Sequence, residues 1–129
     1  MIFEELDEFK KDLKNLIKKY RTLKQDLEVV KQILEILPQE RPPFSFRIDN
    51  LGIQTCVIKV KKIACKALKG RGVNSGLRLV YAYFEEIQEV KEGEKNVIEK
   101  QEERIVFIEL YHKNNKVIED KDRIKNNFE

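Results

Sequence analysis

Apolar residues recur three or four positions apart from Phe3 to Tyr20, at Phe3, Leu6, Phe9, Leu13, Leu16, Ile17 and Tyr20. This spacing predicts one stripe of an amphipathic helix, with lysines and acids on its opposite face. A second stripe runs through Leu23, Leu27, Val30, Ile33, Leu34 and Leu37. Thr22 followed by Gln25 fits a capping box at its start, and Pro38 stops it. Together the stripes predict a helical hairpin over residues 3–37 whose apolar side needs cover. Residues 38–54 hold all three prolines with Asn50 and Gly52, and predict a loop with one extended piece at Phe44–Ile48.

The pattern then changes to that of strands, with candidates at 55–68, 77–85 and 104–112. In the first, the alternation slips at Lys61-Lys62, and a bulge there would restore the phase. It would put Lys59, Lys61, Lys62 and Lys66 on the face away from the helices. In the second, Leu79, Tyr81 and Tyr83 share one face, with Arg78, Val80 and Ala82 on the other. In the third, Val106, Ile108 and Leu110 are expected toward the helices, and Phe107, Glu109, Tyr111 and Lys113 away from them. Residues 85–104 are strongly acidic and long for a hairpin loop, so they predict a protruding excursion with mobile residues near Gly93. Over 118–128, a short helix beginning near Glu119-Asp120 would carry acids early and Arg123 and Lys125 late, as the helix dipole favours. These elements make one α+β domain over 1–129: two helices on one face of a small, mainly antiparallel sheet (55–113), and a short C-terminal helix.

Charge changes the picture more than composition does. Residues 41–81 hold nine Lys or Arg against Asp49 alone, a net of +8, between a first stretch of net −1 and a last of net −4. Such segregation creates a local positive field suited to polyanions. No apolar run approaches the roughly 20 residues of a membrane helix, and the acidic start lacks the pattern of a signal peptide. A cytoplasmic protein without membrane contact is expected. Cys56 and Cys65 lack metal-ligand spacing and read as reduced core fillers, so neither a metal nor another cofactor is expected.

Residues 65–83 carry the chemistry. Lys66, Lys69 and Arg71 flank a glycine-rich turn that leads into a strand opening with Arg78. Lys69-Gly70-Arg71-Gly72, Ser75-Gly76-Leu77-Arg78-Leu79-Val80-Tyr81 and Phe107-Ile108-Glu109-Leu110-Tyr111-His112-Lys113 together resemble the RelE/ParE superfamily of bacterial toxin–antitoxin proteins. The order of elements extends the resemblance over nearly the whole chain. It implies a RelE-like toxin, an endoribonuclease cleaving mRNA, often on the ribosome, through attack of a ribose 2′-hydroxyl on the adjacent phosphate. A cognate antitoxin would hold it inactive. A ParE-like inhibitor of DNA gyrase is the alternative, as is a non-toxic basic nucleic-acid-binding domain.

For such cleavage a base, charge stabilisation and an acid are required. Arg78 matches the family's strand arginine, and its planar fork suits a phosphate. The alternative role is a structural pair with Glu109. Lys69 and Arg71 offer cations or a base, which a lysine can be only where neighbouring cations depress its pKa. Tyr111 and His112, the sole histidine, are the candidate proton donors. Lys59, Lys61, Lys62, Lys66 and Lys113 are candidate RNA contacts. The sequence departs from many RelE-like nucleases in having Lys113-Asn114-Asn115-Lys116 after the last strand, where an arginine is usual, and no tyrosine in its C-terminal segment.

Overall fold

The first residues of the expected helix form a strand instead. In the computed structural model, which describes residues 1–93 and 95–129 and of residues 87–90 and 96–101 the backbone alone, β1 (Ile2–Glu5) precedes α1 (Asp7–Ile17). β1 lies parallel to β5 (Lys95–His112), with Ile2 opposite Arg104 and Glu5 opposite Phe107. The ring of Phe3 packs on Phe107 with centroids 5.8 Å apart, and Phe9 packs there too at 5.3 Å. Strand and helix therefore deliver Phe3 and Phe9 to one ring, which is why their spacing reads as a single helical stripe.

α2 (Leu23–Ile36) buries Leu23, Leu27, Val30 and Leu34, and ends before Pro38. Thr22 is its N-cap, but the hydroxyl makes no capping bond. It donates to Asp26 and accepts from the backbone N–H of Ala67. The expected extended piece is β2 (Ser45–Arg47), paired antiparallel to β3 (Cys56–Val60). β4 (Leu77–Glu92) joins β3 to β5, giving a mixed five-stranded sheet of order β1-β5-β4-β3-β2. With α3 (Lys121–Phe128) the architecture is α+β.

Four expectations are corrected. β3 ends at Val60, so Lys61 and Lys62 leave the strand rather than bulge within it, and beyond them only Ile63 makes an isolated bridge, to Asn74. The bulge lies in β5: Val80 faces Glu109 and Tyr81 faces Phe107, leaving Ile108 as the extra residue. Ile108 and Glu109 then share one face, so Ile105, Phe107 and Leu110 turn toward α1 and α2, while Val106 and Ile108 turn away. The acidic stretch 85–104 is no open loop: β4 and β5 continue as a two-stranded ribbon as far as Glu92 and Lys95, with Glu94 outside the described residues.

The sheet has apolar residues on both faces. Leu79, Tyr81 and Tyr83 meet α1 and α2, as their alternation predicts. Val57, Val80, Ala82, Val106, Ile108 and Tyr111 meet Leu51 and, from α3, Ile124. Asp120 caps α3 by accepting from the Arg123 N–H at 3.0 Å. Arg123 also finishes work that β1 leaves undone. β1 stops pairing at Phe107, and beyond it Arg123 Nη1 donates to Ile108 O while Asp12 Oδ2 accepts from the Leu110 N–H. Asp12 and Arg123 are themselves ion-paired at 2.6 Å, so two side chains stand in for a missing strand partner. Cys56 and Cys65 are free thiols, half-buried and buried, with burial raising both pKa values. No helix among the described residues is long and apolar enough to cross a membrane.

Candidate nucleic-acid interface

The glycine-rich segment leaves β3 at Val60 and returns at Leu77, and it is tied down at both ends. Lys66 N–H and Ala67 N–H bond to Asp26 and Thr22 at the start of α2. At the return, the Ser75 hydroxyl donates to Ile63 O at 2.6 Å and accepts from Leu77 N–H. The exposed tip, Lys69 to Val73, lies between these anchors.

This path brings a particular set of cations together. Lys61, Lys62, Arg78 and Lys113 surround a cavity of about 210 Å³, whose other lining residues are Pro43, Phe46, Asn74 and Gly76. No carboxylate lines it. Arg78 Nη1 donates to Lys61 O and Leu77 O at 3.0 and 3.2 Å, which orients the guanidinium, and Arg78 has no ion pair among the described residues. Lys62 Nζ donates to Asn74 Oδ1 at 2.9 Å, and Lys61 Nζ sits 4.7 Å from the centre of the Phe46 ring. Among the described residues these cations have no ion pair, and they sit in a concave surface where like charges reinforce one another's field.

The expected Arg78–Glu109 pair does not form. Glu109 is buried and lies opposite Val80, where it accepts from Lys116 Nζ and from the Asp120 N–H at the head of α3. Lys59, a candidate RNA contact, is drawn away: its ammonium lies 2.7 Å from buried Glu119. Burial would raise the Glu119 carboxyl, but the hydrogen bond and charge of Lys59 outweigh it and hold the pKa below the ordinary value. Lys66, Lys69 and Arg71 are exposed and do not line the cavity.

Neither Tyr111 nor His112 lines it. Tyr111 is opposite Arg78 in the ladder and buried against the α3 side of the sheet. Its phenol is pushed up to about 12 by burial and then by the charges of Glu119 and Glu109. His112 is not the exposed strand end that its position suggests. The ring stacks on Tyr20, with centroids 5.7 Å apart and planes within 4°. Nε2 lies 3.0 Å from Ser75 O, and Nδ1 accepts from the Asn114 N–H. This pattern selects the neutral tautomer with its proton on Nε2. Both nitrogens are occupied.

Burial first, and the charges of Lys19, Lys113 and Arg71, lower the His112 pKa. Its sign gives a prediction. Above about pH 6.5 the imidazole is neutral in both folded and unfolded chains and has no effect on pH dependence. As pH falls below that value the unfolded chain takes up a proton that the folded chain refuses, so stability is lost toward the depressed folded pKa. Urea unfolding at pH 7.5 and 5.5 is expected to show a less stable protein at the lower pH, with the difference reduced in His112→Gln. Equal stability at both pH values would remove this account of His112.

The sequence does not reveal Phe46, Asn74 and Gly76 as lining residues. Asn74 and Gly76 stand within the Ser-Gly motif region, yet their part depends on how the loop returns. Among the described residues no group of three or more His, Cys, Asp or Glu is arranged to hold a metal ion. No family model, curated protein or solved structure matches this chain.

Proposed function

We propose that the protein is a RelE-like endoribonuclease, the toxin of a toxin–antitoxin pair, and that it binds the phosphodiester of single-stranded mRNA in the Arg78 cavity. The observation that carries this reading is the convergence of Lys61, Lys62, Arg78 and Lys113 on one cavity without a lining carboxylate. The mixed sheet with α1 and α2 on one face also suits the RelE/ParE-like arrangement.

Arg78 is oriented through two carbonyls and gives the charge stabilisation, with Lys61, Lys62 and Lys113 neutralising the flanking backbone. In the reaction the 2′-oxygen bonds to phosphorus as the bond from phosphorus to the 5′-oxygen breaks. The 2′-hydroxyl proton passes to water, and the departing 5′-oxygen gains a proton from water or from a cavity lysine ammonium. The products are a 2′,3′-cyclic phosphate and a 5′-hydroxyl end. His112 serves as a support, since a ring with both nitrogens bonded cannot exchange a proton with substrate. An antitoxin would act by covering the cavity.

The test is incubation of the purified protein with a defined RNA, with and without ribosomes, followed by mass analysis of the ends. New cyclic-phosphate and 5′-hydroxyl ends are expected, and a 2′-deoxy substitution at the cut should abolish them. RNA binding with no new ends in either condition would overturn the nuclease. The gyrase-inhibitor reading would then gain ground if expression caused DNA damage, because Tyr111 and His112 stand outside the cavity.

A further inference from the structure

The chain has two long stretches without a single acid, residues 13–25 and 50–84, and the fold joins them. The first is the junction of α1 and α2, with Lys18, Lys19, Arg21 and Lys24 all exposed. The second includes the loop that carries Lys66, Lys69 and Arg71. Their contact is specific: Thr22 and Asp26 accept from the backbone N–H groups of Ala67 and Lys66. Asp26, at the seam of the two stretches, is buried, bonded on one oxygen by the Thr22 hydroxyl and on the other by the Lys66 N–H. None of the junction or loop cations has an ion pair among the described residues.

Buried side chains connect this second cationic surface to the wall of the Arg78 cavity. Tyr20, between Lys19 and Arg21, stacks on His112. His112 in turn abuts Gly76 and precedes Lys113, both of which line the cavity. The charges of Lys19, Arg71 and Lys113 all reach His112.

We propose that the helix junction is a second RNA-backbone site, which grips the strand flanking the segment held at Arg78 and so extends the footprint beyond the site of cleavage. The proposal rests on the RNA reading above. The surface is suited to a phosphate backbone rather than to bases: its groups are flexible cations from two segments, and Tyr20, between Lys19 and Arg21, is buried.

The experiment replaces Lys18, Lys19, Arg21 and Lys24 with glutamine in the full chain, with circular dichroism as the check on folding. Binding is measured for single-stranded RNAs of about 4 and about 16 nucleotides, near the ends of the usual range for one binding fold. The longer RNA is expected to bind at least about tenfold more weakly, and its salt slope to fall by about 0.7 for each phosphate that the variant no longer neutralises. Binding and cleavage of the shorter RNA should be unchanged. The pair Arg21→Glu and Lys24→Glu should deepen the effect for the longer RNA alone. Unchanged binding of the longer RNA, or equal weakening of both, would overturn the second site while leaving the Arg78 reading intact. So would loss of polyglutamate binding with RNA binding retained, which would assign the surface to an acidic protein. Failure of the unsubstituted protein to bind either RNA would overturn the RNA reading itself, and this inference with it.

Discussion

Replacing Arg78 with alanine is expected to lower RNA cleavage by about 10²–10³-fold, the usual effect of removing one oriented group that stabilises transition-state charge. The side chain is held through Lys61 O and Leu77 O, so its position does not depend on the substrate arriving. Loss of the guanidinium leaves the two carbonyls open to solvent at a half-buried site and removes no ion pair among the described residues. The fold should therefore survive, with a change in stability within about 1 kcal/mol. Arg78→Lys should recover only part of the activity, because an ammonium keeps the charge and lacks the bidentate geometry. Both variants should relieve growth arrest on expression. A folded Arg78→Ala protein with full cleavage and full toxicity would remove Arg78 from the site.

Gly76→Ala is expected to cost about 3 kcal/mol of folding stability, from about 1–2 kcal/mol for an L residue in left-handed backbone and about 1–3 kcal/mol for the hydrogen bond it disrupts. Gly76 has φ +86°, and a β-carbon there would stand 2.6 Å from His112 Nε2 and 2.9 Å from Cε1. The ring cannot simply move aside. It is buried, stacked on Tyr20, and bonded through Nε2 to Ser75 O and through Nδ1 to the Asn114 N–H. A fall in Tm of more than about 10 °C should accompany the loss for a chain of this size. Adding His112→Ala to Gly76→Ala should cost less than the sum of the single changes, since it removes the clash and leaves only the backbone strain. A Gly76→Ala variant within about 0.5 kcal/mol of the parent would mean that this contact does not matter. Because Gly76 also lines the cavity, the same change should weaken RNA binding even where the chain remains folded.

These two positions differ in how far they can be read from sequence. Arg78 stands out because a charge opens an apolar strand inside a segment of net +8. Gly76 is one of several turn glycines until His112, 36 positions later, is seen against it. Tyr111 and His112 have the chemistry of proton donors and occupy the expected strand end. Their burial depends on Tyr20 and α3, which come from the two extremes of the chain.

The sequence by itself determined the apolar stripes of α1 and α2, the starts of β3 and β4 and the last part of β5, the start of α3 and the basic middle third. Each follows from local periodicity, a cap or a count of charges, and none needs a distant partner. Tertiary structure alone decided that Phe3 joins a strand, because the open edge of β5 needs hydrogen-bond partners. It also decided that the bulge falls at Ile108, which turns Phe107 rather than Val106 toward the helices. Above all, it chose among the cations. Lys59 meets Glu119, Lys66 and its neighbours go to the helix junction, and Lys61, Lys62 and Lys113 gather at Arg78. Charge along a chain shows how strong a field can be, and only the paths of the loops set where its sources meet.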